Sequence, residues 1–342
     1  MTFPTNAYIL ALLGACAIAL LSMPLWRKWC VKVGLVDEPG HRKIHDQSIV
    51  LAGGLAVMTG ILVPTLLAWG LLSWNGLGVG IQRMIQGQVE AESIDSLAVY
   101  LLQYGLSRRA LQLAGILTGA VGILIVGLMD DRFELRPSWK FAGQCAVALL
   151  VAACGIRITL FVPNAIFSYV VTVLWILTVI NAFNFMDNMN GLCAGVGAIA
   201  AWNFGTLAAS QGQYLVALIS FLTVGALAGF LPYNFPKARA FLGDAGSHLV
   251  GYLLAVLAIL PHFYSPRHPR HWAVMIPLIV LAVPLLDLLW VVAWRTCHGL
   301  PFYHGDTNHL SHRLVRAGLS RTQGVLVLWC AATLIGLLSW LV

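Results

Sequence analysis

Side chains that could do chemistry are scarce in this sequence, and most of the acidic ones stand in short polar segments between long apolar runs. Only 13 of the 342 residues are Asp or Glu. Asp130 and Asp131 directly follow an apolar run, and repulsion between neighbouring carboxylates costs energy unless a cation or a proton relieves it. Carboxylates at the C-terminal end of a helix also oppose the helix dipole. The pair is either a solvated helix end or part of a site that acts on a cation or a proton, and the dipole argument favours the site.

A second polar segment, NAFNFMDNMNGL at 181–192, is wedged between two apolar runs. Asn184, Asp187 and Asn190 recur at a spacing of three, which predicts that they share one helical face. Hard oxygen ligands of this kind suit Mg²⁺, which prefers one or two carboxylates together with substrate phosphates. A capped turn built from Asn and Gly is the alternative, and we favour the metal site over it.

A third segment, FLGDAGS at 241–247, opens a further apolar run. Backbone N–H groups left free at a helix N-terminus, beside Gly243, suit a phosphate group, and Asp244 is available for a metal. Capping of the helix by Ser247 explains the segment equally well, so this segment alone is a weak signal.

A fourth segment, GDTNHLSHR at 305–313, places His309 and His312 three residues apart beside Arg313. A zinc site is one interpretation, but the hard oxygen ligands elsewhere and the lack of a suitably placed Cys argue against it. Imidazole and guanidinium groups beside a metal–diphosphate site neutralise the charge that develops on phosphate. The segment therefore favours phosphoryl chemistry.

The elements that must position these segments are membrane-spanning helices. Hydrophobic residues make up 59% of the chain and charged residues 10%, whereas a soluble domain has about 25% charged residues. A crossing needs about 20 apolar residues, and in lipid such a run must be helical. The sequence predicts an all-α integral membrane protein, a polytopic bundle of about ten (ten to eleven) transmembrane helices in a single domain over residues 1–342. The predicted spans are Asn6–Trp26, Ile49–Leu72, Ala110–Met129, Trp139–Gly155, Ala165–Phe183, Leu192–Ser210, Gln213–Pro232, Ser247–His262, Trp272–Ala293 and Gln323–Val342.

The distribution of charge predicts the orientation of this bundle. Alternate crossings place 14 of the 20 Lys and Arg residues on one side, and the positive-inside rule makes that side cytoplasmic, with both termini outside. Nine of the 13 acidic residues fall on the same side, so the site is predicted in cytoplasmic loops. The net charge of +7 is then a topology signal that also attracts anionic lipid headgroups, and it does not indicate a nucleic-acid partner.

Five segments, taken together and in order, resemble those of one family, the polyprenyl-phosphate N-acetylhexosamine-1-phosphate transferases. They are DEPGHRKIH at 37–45 with Gly53–Gly54, GLMDDRFEL at 127–135 with Lys140, NAFNFMDNMNGL, FLGDAGS, and NHLSHRLVRAGLS at 308–320. The resemblance implies an enzyme of the bacterial cytoplasmic membrane that transfers a HexNAc-1-phosphate, such as N-acetylglucosamine-1-phosphate, from a UDP-sugar to undecaprenyl or another polyprenyl phosphate. UMP is released, and a lipid-linked cell-envelope glycan is begun. Mg²⁺ or Mn²⁺ is the implied cofactor.

By their positions in these motifs, the resemblance also assigns roles to particular residues. Asp187 and Asp244 are the implied metal ligands. The implied catalytic residues are Asp130, as the base toward the lipid phosphate, Asp131 beside it, and the histidines His309 and His312. The implied substrate-binding residues are Lys43, His45, Asn184, Asn190, Gly243 and Arg313.

The sequence departs from the family pattern at two positions. Asn190 stands where the family usually has Asp, and Ser311 stands where it usually has a third His. A phospho-N-acetylmuramoyl-pentapeptide transferase is the alternative within the family, but the HLSHR context favours the simpler sugar transferases. Two other hypotheses stay open: a secondary transporter that uses Asp287, the one acid within a span, and a weakened family member that binds lipid phosphate. The sequence is compatible with a homodimer but does not fix the oligomeric state.

Overall fold

The computed structural model describes residues 4–38, 48–73, 94–160, 162–261, 271–301, 303 and 306–341, with the backbone alone for residues 94–108 and for His271. Within these residues the architecture is helical, apart from one antiparallel pair of two-residue strands. The prediction of an all-α protein is therefore confirmed, and it contains helices that are long and apolar enough to cross a membrane.

The elements follow one another as helices with short connections. In chain order they are α1 (Thr5–Val33), β1 (Val36–Asp37), β2 (Ile49–Val50), α2 (Gly53–Ser73), α3 (Ile94–Phe133), α4 (Pro137–Ala153), α5 (Ala165–Met186), α6 (Leu192–Ser210), α7 (Tyr214–Asn234), α8 (Gly243–Ile259), a 3₁₀ turn (His271–Met275), α9 (Ile276–Val280), α10 (Ala282–Cys297), α11 (Leu310–Arg316), α12 (Arg321–Leu337) and a 3₁₀ turn (Leu338–Trp340).

Local sequence signals set several of the helix ends. Gly34 adopts a left-handed conformation, with φ of 73°, directly after α1, where a residue without a Cβ is favoured. Asn164 caps α5 by accepting from the Phe167 amide, and Ser320 forms a capping box with Gln323 at the start of α12. These residues fix where the helices begin or end and therefore where the connecting segments lie.

Seven of the ten predicted spans coincide with helices that are long and apolar enough to cross a membrane. The predicted span Trp272–Ala293 is instead a pair of helical pieces bent by 72°, which counts as an eighth crossing if the pair is one span. The predicted spans Trp139–Gly155 and Ser247–His262 correspond to α4 and α8, each of 17 residues. Both stay unconfirmed as crossings, because each helix is shorter than the roughly 20 residues of a typical crossing.

Helix α8 lies at the centre of the bundle. All its residues from Ala245 to Ala258 are buried, as is typical of a helix that is apolar on all sides. It packs against α2, α3, α5 and α6, while α1 packs mainly on α7. The outer helices direct large apolar side chains outward, and Leu10 and Ile166, for example, are 73% and 76% exposed. Such a surface suits contact with lipid chains, which are as apolar as leucine.

Glycines bring helix backbones together at the end of α8 that carries the polar segments. A Cβ on Gly54 would lie 2.8 Å from the Cα of Gly246, and one on Gly127 would lie 2.3 Å from the Cα of Ala245. Helices α2 and α3 therefore approach the first turn of α8 through backbone atoms, as small residues allow in membrane bundles. This close approach fixes the ends of three helices relative to one another.

Candidate active site

A cleft of about 1210 Å³ opens at the polar ends of α3, α5 and α8. Six carboxylates line it: those of Asp37 and Glu134, and four that the sequence predicted as site residues. Asp130 and Asp131 stand in the last turn of α3, Asp187 directly follows α5, and Asp244 stands in the first turn of α8. We call this the acidic cleft. Segments that are far apart in the chain thus bring their acids to one place.

Lys140, in the first turn of α4, is the cation that joins two of these acids. Its Nζ lies 2.6 Å from Oδ2 of Asp130, 3.4 Å from Oδ2 of Asp244 and 3.5 Å from Oδ1 of Asn184. The lysine side chain is 18% exposed, so solvent ions screen these charges less than they would on an open surface. One ammonium group therefore compensates part of the repulsion between carboxylates from α3 and α8.

Asn184 ties the end of α5 to the start of α8. Its amide nitrogen donates to Oδ1 of Asp244 and, at 3.0 Å, to the hydroxyl oxygen of Ser247. The hydroxyl of Ser247 in turn donates to the backbone carbonyl of Asp244 at 3.4 Å. The Asp244 carboxylate is therefore held from two sides, by Lys140 and by Asn184.

Asp131 caps the N-terminus of α8 from a different helix. Its two carboxylate oxygens accept from the backbone amides of Asp244 and Ala245, at 2.8 and 3.0 Å. The expectation that these amides are free for phosphate is wrong, because Asp131 already binds them, and Ser247 is not the cap. Gly243 has φ of 72°, and a Cβ there would lie 2.7 Å from Oδ2 of Asp131, so the turn requires glycine.

Asp187 is the acid whose environment most favours an added cation. Burial, together with the negative charges of Asp244 and Asp131, raises the pKa of Asp187 to about 8. A divalent cation would relieve this repulsion and stabilise the ionised carboxylate.

Asp187 and Asp244 also fit the ligand chemistry of magnesium. Among the residues that the structure describes, no three His, Cys, Asp or Glu side chains form a ready metal cage. Mg²⁺ does not need one, since it binds through one or two protein carboxylates and takes its other ligands from water and substrate phosphates. Two carboxylates that face a polar cleft are therefore a suitable donor set.

The turn after α5 separates Asn190 from the helix that carries Asn184. Helix α5 ends at Met186, and Asp187 already has a non-helical ψ of 46°, so the expected shared helical face is wrong for Asp187 and Asn190. All three polar residues nevertheless line the acidic cleft. The Asn190 amide nitrogen donates to the carbonyl oxygen of Pro236 at 3.1 Å, a bond that an ionised Asp could not donate.

His309 is buried beside the acid that the sequence places within a span. Its Nδ1 lies 2.8 Å from Oδ2 of Asp287, and the other oxygen of that carboxylate accepts from the Leu310 amide at 2.6 Å. His309 and Asp287 are 5% and 2% exposed, and neither lines the acidic cleft. Asp287 therefore joins α10 to the start of α11, and this structural contact accounts for its burial without a transport role.

The two residues at the middle of α11 face different surroundings. His312 lines the acidic cleft, and burial together with the neighbouring His309 lowers the pKa of its imidazole. The guanidinium carbon of Arg313 lies 4.4 Å from the centroid of the Trp290 ring, and Arg313 does not line the cleft. The structure thus brings His312, but not Arg313, to the acids.

Three further contacts hold the segment 306–316 against the end of α5. Ser311, in the position of the family's third histidine, donates to Oδ1 of Asn188 at 2.6 Å. Arg295 lies 4.9 Å from the centroid of the Phe185 ring, and its Nε donates to Oδ2 of Asp306 at 2.8 Å. These bonds place α11 beside the cleft.

The structure places eight of the twelve predicted site residues in the wall of the acidic cleft. They are Asp130, Asp131, Asn184, Asp187, Asn190, Gly243, Asp244 and His312. His309 and Arg313 lie away from that wall, and Lys43 and His45 fall outside the described residues.

Sequence reasoning placed Lys140 with the second family segment but gave it no role in the site. It also did not predict four cations that line the cleft, namely Arg27, Lys237, Arg239 and Arg321. For Lys140 a signal was present, because a cation at the start of an apolar helix is costly unless it has a partner. The other four stand where basic residues also serve as orientation signals, and the sequence alone does not separate the two roles.

The bundle and its cleft define a class of protein: a multi-pass helical membrane protein whose site joins carboxylates to a lysine at the helix ends. Residues 113–262 match the family model described as Glycosyl transferase family 4. The probable undecaprenyl-phosphate N-acetylglucosaminyl 1-phosphate transferase of Bacillus subtilis (strain 168) is 30% identical over 331 residues, covering 94% of this chain and 80% of that protein. The chain therefore belongs to glycosyl transferase family 4, which confirms the family predicted from its five segments.

Two further relatives show the same pattern of similarity over most of their length. The decaprenyl-phosphate N-acetylglucosaminephosphotransferase of Mycobacterium tuberculosis (strain CDC 1551 / Oshkosh) is 31% identical over 350 residues, covering 94% of this chain and 79% of that protein. The undecaprenyl-phosphate alpha-N-acetylglucosaminyl 1-phosphate transferase of Escherichia coli (strain K12) is 26% identical over 324 residues, covering 90% and 77%.

Proposed function

We propose that this chain transfers N-acetylglucosamine-1-phosphate from its UDP-sugar to a polyprenyl phosphate. A phosphate oxygen of the lipid bonds to the β-phosphorus of the UDP-sugar, the bond from that phosphorus to the bridging oxygen breaks, and UMP leaves with that oxygen. The product is a polyprenyl-diphospho-sugar that begins a lipid-linked cell-envelope glycan. The observation that carries the proposal is the acidic cleft, in which Lys140 joins acids from α3 and α8 in a chain of this family.

The names of the relatives support both substrates. The Bacillus and Escherichia proteins are named for undecaprenyl phosphate and N-acetylglucosamine, and the Mycobacterium protein for decaprenyl phosphate and N-acetylglucosamine. The shared sugar supports a UDP-N-acetylhexosamine over a muramoyl-pentapeptide donor. The variation in the lipid supports polyprenyl phosphate as a class.

Different residues at the cleft have different roles in phosphoryl transfer. This reaction depends on positioning and charge neutralisation more than on covalent catalysis. Asp130 takes the proton of the lipid phosphate, because the neighbouring Asp131 is engaged with the amides of α8. Lys140 balances the charge of Asp130 and Asp244. His312 lines the cleft with a lowered pKa and contributes a neutral imidazole to it.

Mg²⁺ or Mn²⁺ is the proposed cofactor, held by Asp187 and Asp244. Bound there, the ion would neutralise charge on the diphosphate and on the departing UMP. The raised pKa of Asp187 supports the assignment, because that carboxylate is short of positive charge. The cleft cations Arg27, Lys237, Arg239 and Arg321 suit the phosphate groups of the two substrates.

The cleft faces the cytoplasm of a bacterial cell in this proposal, with the chain in the cytoplasmic membrane and both termini outside. The excess of Lys and Arg on the cleft side, 14 of 20, supports the orientation, and the bacterial origin of the relatives supports the compartment.

The direct test is UMP release by purified protein, with polyprenyl phosphate and a panel of UDP-sugars, with and without Mg²⁺. We expect UMP from UDP-N-acetylglucosamine only when the lipid and the metal are both present. Asp187→Asn and Asp244→Asn should abolish turnover while the protein still inserts, and Glu90→Gln, on the side that the sequence assigns to the outside, should not. No UMP from any UDP-N-acetylhexosamine would overturn the function, and turnover by either Asn variant would remove that residue from the metal site.

A further inference from the structure

A second polar layer lies one helical turn further along α4, α5 and α8 than Lys140, Asn184 and Asp244. It consists of Gln144 on α4, Asn181 on α5 and His248 on α8. Each is three or four residues from one of those three residues on its own helix and therefore shares a face with it. The pairs are Lys140 with Gln144, Asn184 with Asn181, and Asp244 with His248.

The hydrogen bonds of this layer all donate in one direction, from Asn181 to Gln144 and from Gln144 to His248. The amide nitrogen of Asn181 donates to the backbone carbonyl of Leu177 and to Oε1 of Gln144, both at 2.8 Å. Since Oε1 of Gln144 accepts, its Nε2 is the atom that faces Nε2 of His248, at 3.4 Å. A carbonyl can only accept, so Leu177 fixes the orientation of both amides and makes Nε2 of His248 an acceptor. The imidazole is then neutral and carries its proton on Nδ1.

Burial of His248 at this position costs free energy. It and Gln144 are both 0% exposed, and Nδ1 of His248 has no hydrogen-bond partner among the described residues. A buried donor without a partner costs free energy, whereas an apolar side chain of similar size would fill the same space without that cost. Stability alone therefore gives no reason for an imidazole at this buried position of α8.

We propose that His248 is a positioning residue: acting through Gln144 and Asn181, it fixes the ends of α4, α5 and α8, which carry Lys140, Asn184 and Asp244. The inference deepens the proposed function and rests on it. Lys140 has a long flexible side chain that must reach carboxylates on two other helices, so its contacts depend on where the first turn of α4 lies. A shift of a reacting group by about 1 Å costs on the order of 100-fold in rate.

The first test needs no substrate and compares His248→Leu with His248→Gln. Leu removes the acceptor, while Gln can place its carbonyl oxygen where Nε2 accepts. In purified protein we measure the rate at which an amine-reactive reagent labels Lys140, by mass spectrometry of the peptide. We expect faster labelling than wild type in the Leu variant, because Lys140 is held less firmly, and the wild-type rate in the Gln variant. Unchanged labelling in the Leu variant overturns the inference.

The second test is kinetic and separates positioning from mere packing. His248→Leu should lower kcat by about 10-fold or more, with a smaller change in KM for the UDP-sugar, and His248→Gln should recover most of that loss. The double variant with Gln144→Leu should be no slower than the slower single variant, because both changes break one chain of bonds.

Tyr252→Phe is the matched control, because it deletes another buried hydrogen bond of α8, from the Tyr252 hydroxyl to the Ile116 carbonyl at 2.9 Å. It should keep the wild-type kcat. Wild-type kcat in His248→Leu, or equal losses in His248→Leu and Tyr252→Phe, would overturn the positioning role. A wild-type protein that releases no UMP would instead overturn the proposed function, and the labelling of Lys140 would still decide the inference.

Discussion

Asp130 and Asp131 are adjacent in the chain, but their carboxylates bind different partners. Asp130 pairs with Lys140 at 2.6 Å and accepts from the Leu135 amide at 2.9 Å. Asp131 binds the amides that begin α8. The first acid therefore belongs to the charge balance of the cleft, and the second belongs to the framework that presents Asp244.

Replacing each of these acids by Asn should separate the two roles. In Asp131→Asn an amide N–H₂ group faces a backbone donor, so we expect the free energy of unfolding to fall by about 1.5–3 kcal/mol, the contribution of a hydrogen bond to a charged group. In Asp130→Asn we expect a smaller loss of stability but a fall in turnover of about 100-fold or more, as for removal of a general base. The midpoint of thermal unfolding in detergent measures the effect on stability, and the rate of UMP release measures the effect on turnover. Equal midpoints in the two variants would contradict the division of roles.

Asn190 is the position at which this chain departs from the family's usual Asp. Its amide donates to the Pro236 carbonyl, and a carboxylate there would lose that bond and face a carbonyl oxygen. We therefore expect Asn190→Asp to lower turnover by about 2- to 10-fold, in line with one hydrogen bond. Asn190→Ala, which loses the donor without adding charge, should show a similar fall. A gain of activity in the Asp variant would show that the missing charge, and not the bond to Pro236, matters at this position.

At the scale of the helices, backbone contacts through glycine set the geometry of the cleft. Helix α3 meets α8 at Gly127, where an added Cβ would lie 2.3 Å from the Cα of Ala245. Neither backbone can yield as a flexible side chain would, so a methyl group there must move the first turn of α8. That turn carries Asp244 and the amides that Asp131 binds.

Gly127→Ala should therefore disturb both stability and catalysis. We expect a loss of about 1–3 kcal/mol in the free energy of unfolding, typical of overpacking, and a fall in turnover of about 10-fold or more, since the acids are displaced. Gly70→Ala is the control, because a Cβ on Gly70 meets nothing within 4 Å. The control should show the wild-type midpoint of thermal unfolding and the wild-type rate of UMP release. An active, stable Gly127→Ala protein would rule out the backbone contact as a determinant of the site.

The helices were largely predictable from the sequence, because a crossing needs little more than a long apolar run. The break that separates α9 from α10 was not, since the apolar run continues through it and only the structure shows the bend of 72°. The acids of the site were predictable from their scarcity. The role of Asp131 was not, because its partners lie 113 and 114 residues further along the chain. The pairing of Asp287 with His309 also joins distant positions that no local pattern links.

At the scale of the whole molecule, the bundle places the acidic cleft at one end of its helices and the turn between α6 and α7 at the other. Thr322 lines the cleft, whereas Gln211 stands in that turn. The proposed orientation therefore puts Thr322 on the cytoplasmic side and Gln211 on the outside.

Cysteine labelling tests this orientation in intact cells. In a background without the seven natural cysteines, Gln211→Cys should react with a membrane-impermeant maleimide, and Thr322→Cys should react only after the cells are permeabilised. UMP release by both variants confirms that they are folded. Labelling of Thr322→Cys in intact cells would place the acidic cleft outside and exclude the proposed orientation.

The cap that α3 provides for α8 also bears on how the protein is made. A ribosome synthesises Asp131 113 residues before Asp244, so the carboxylate that binds the first amides of α8 is already in the chain when α8 is made. Docking of α8 against α3 forms these two bonds and brings Asp244 beside Asp131 in a single step.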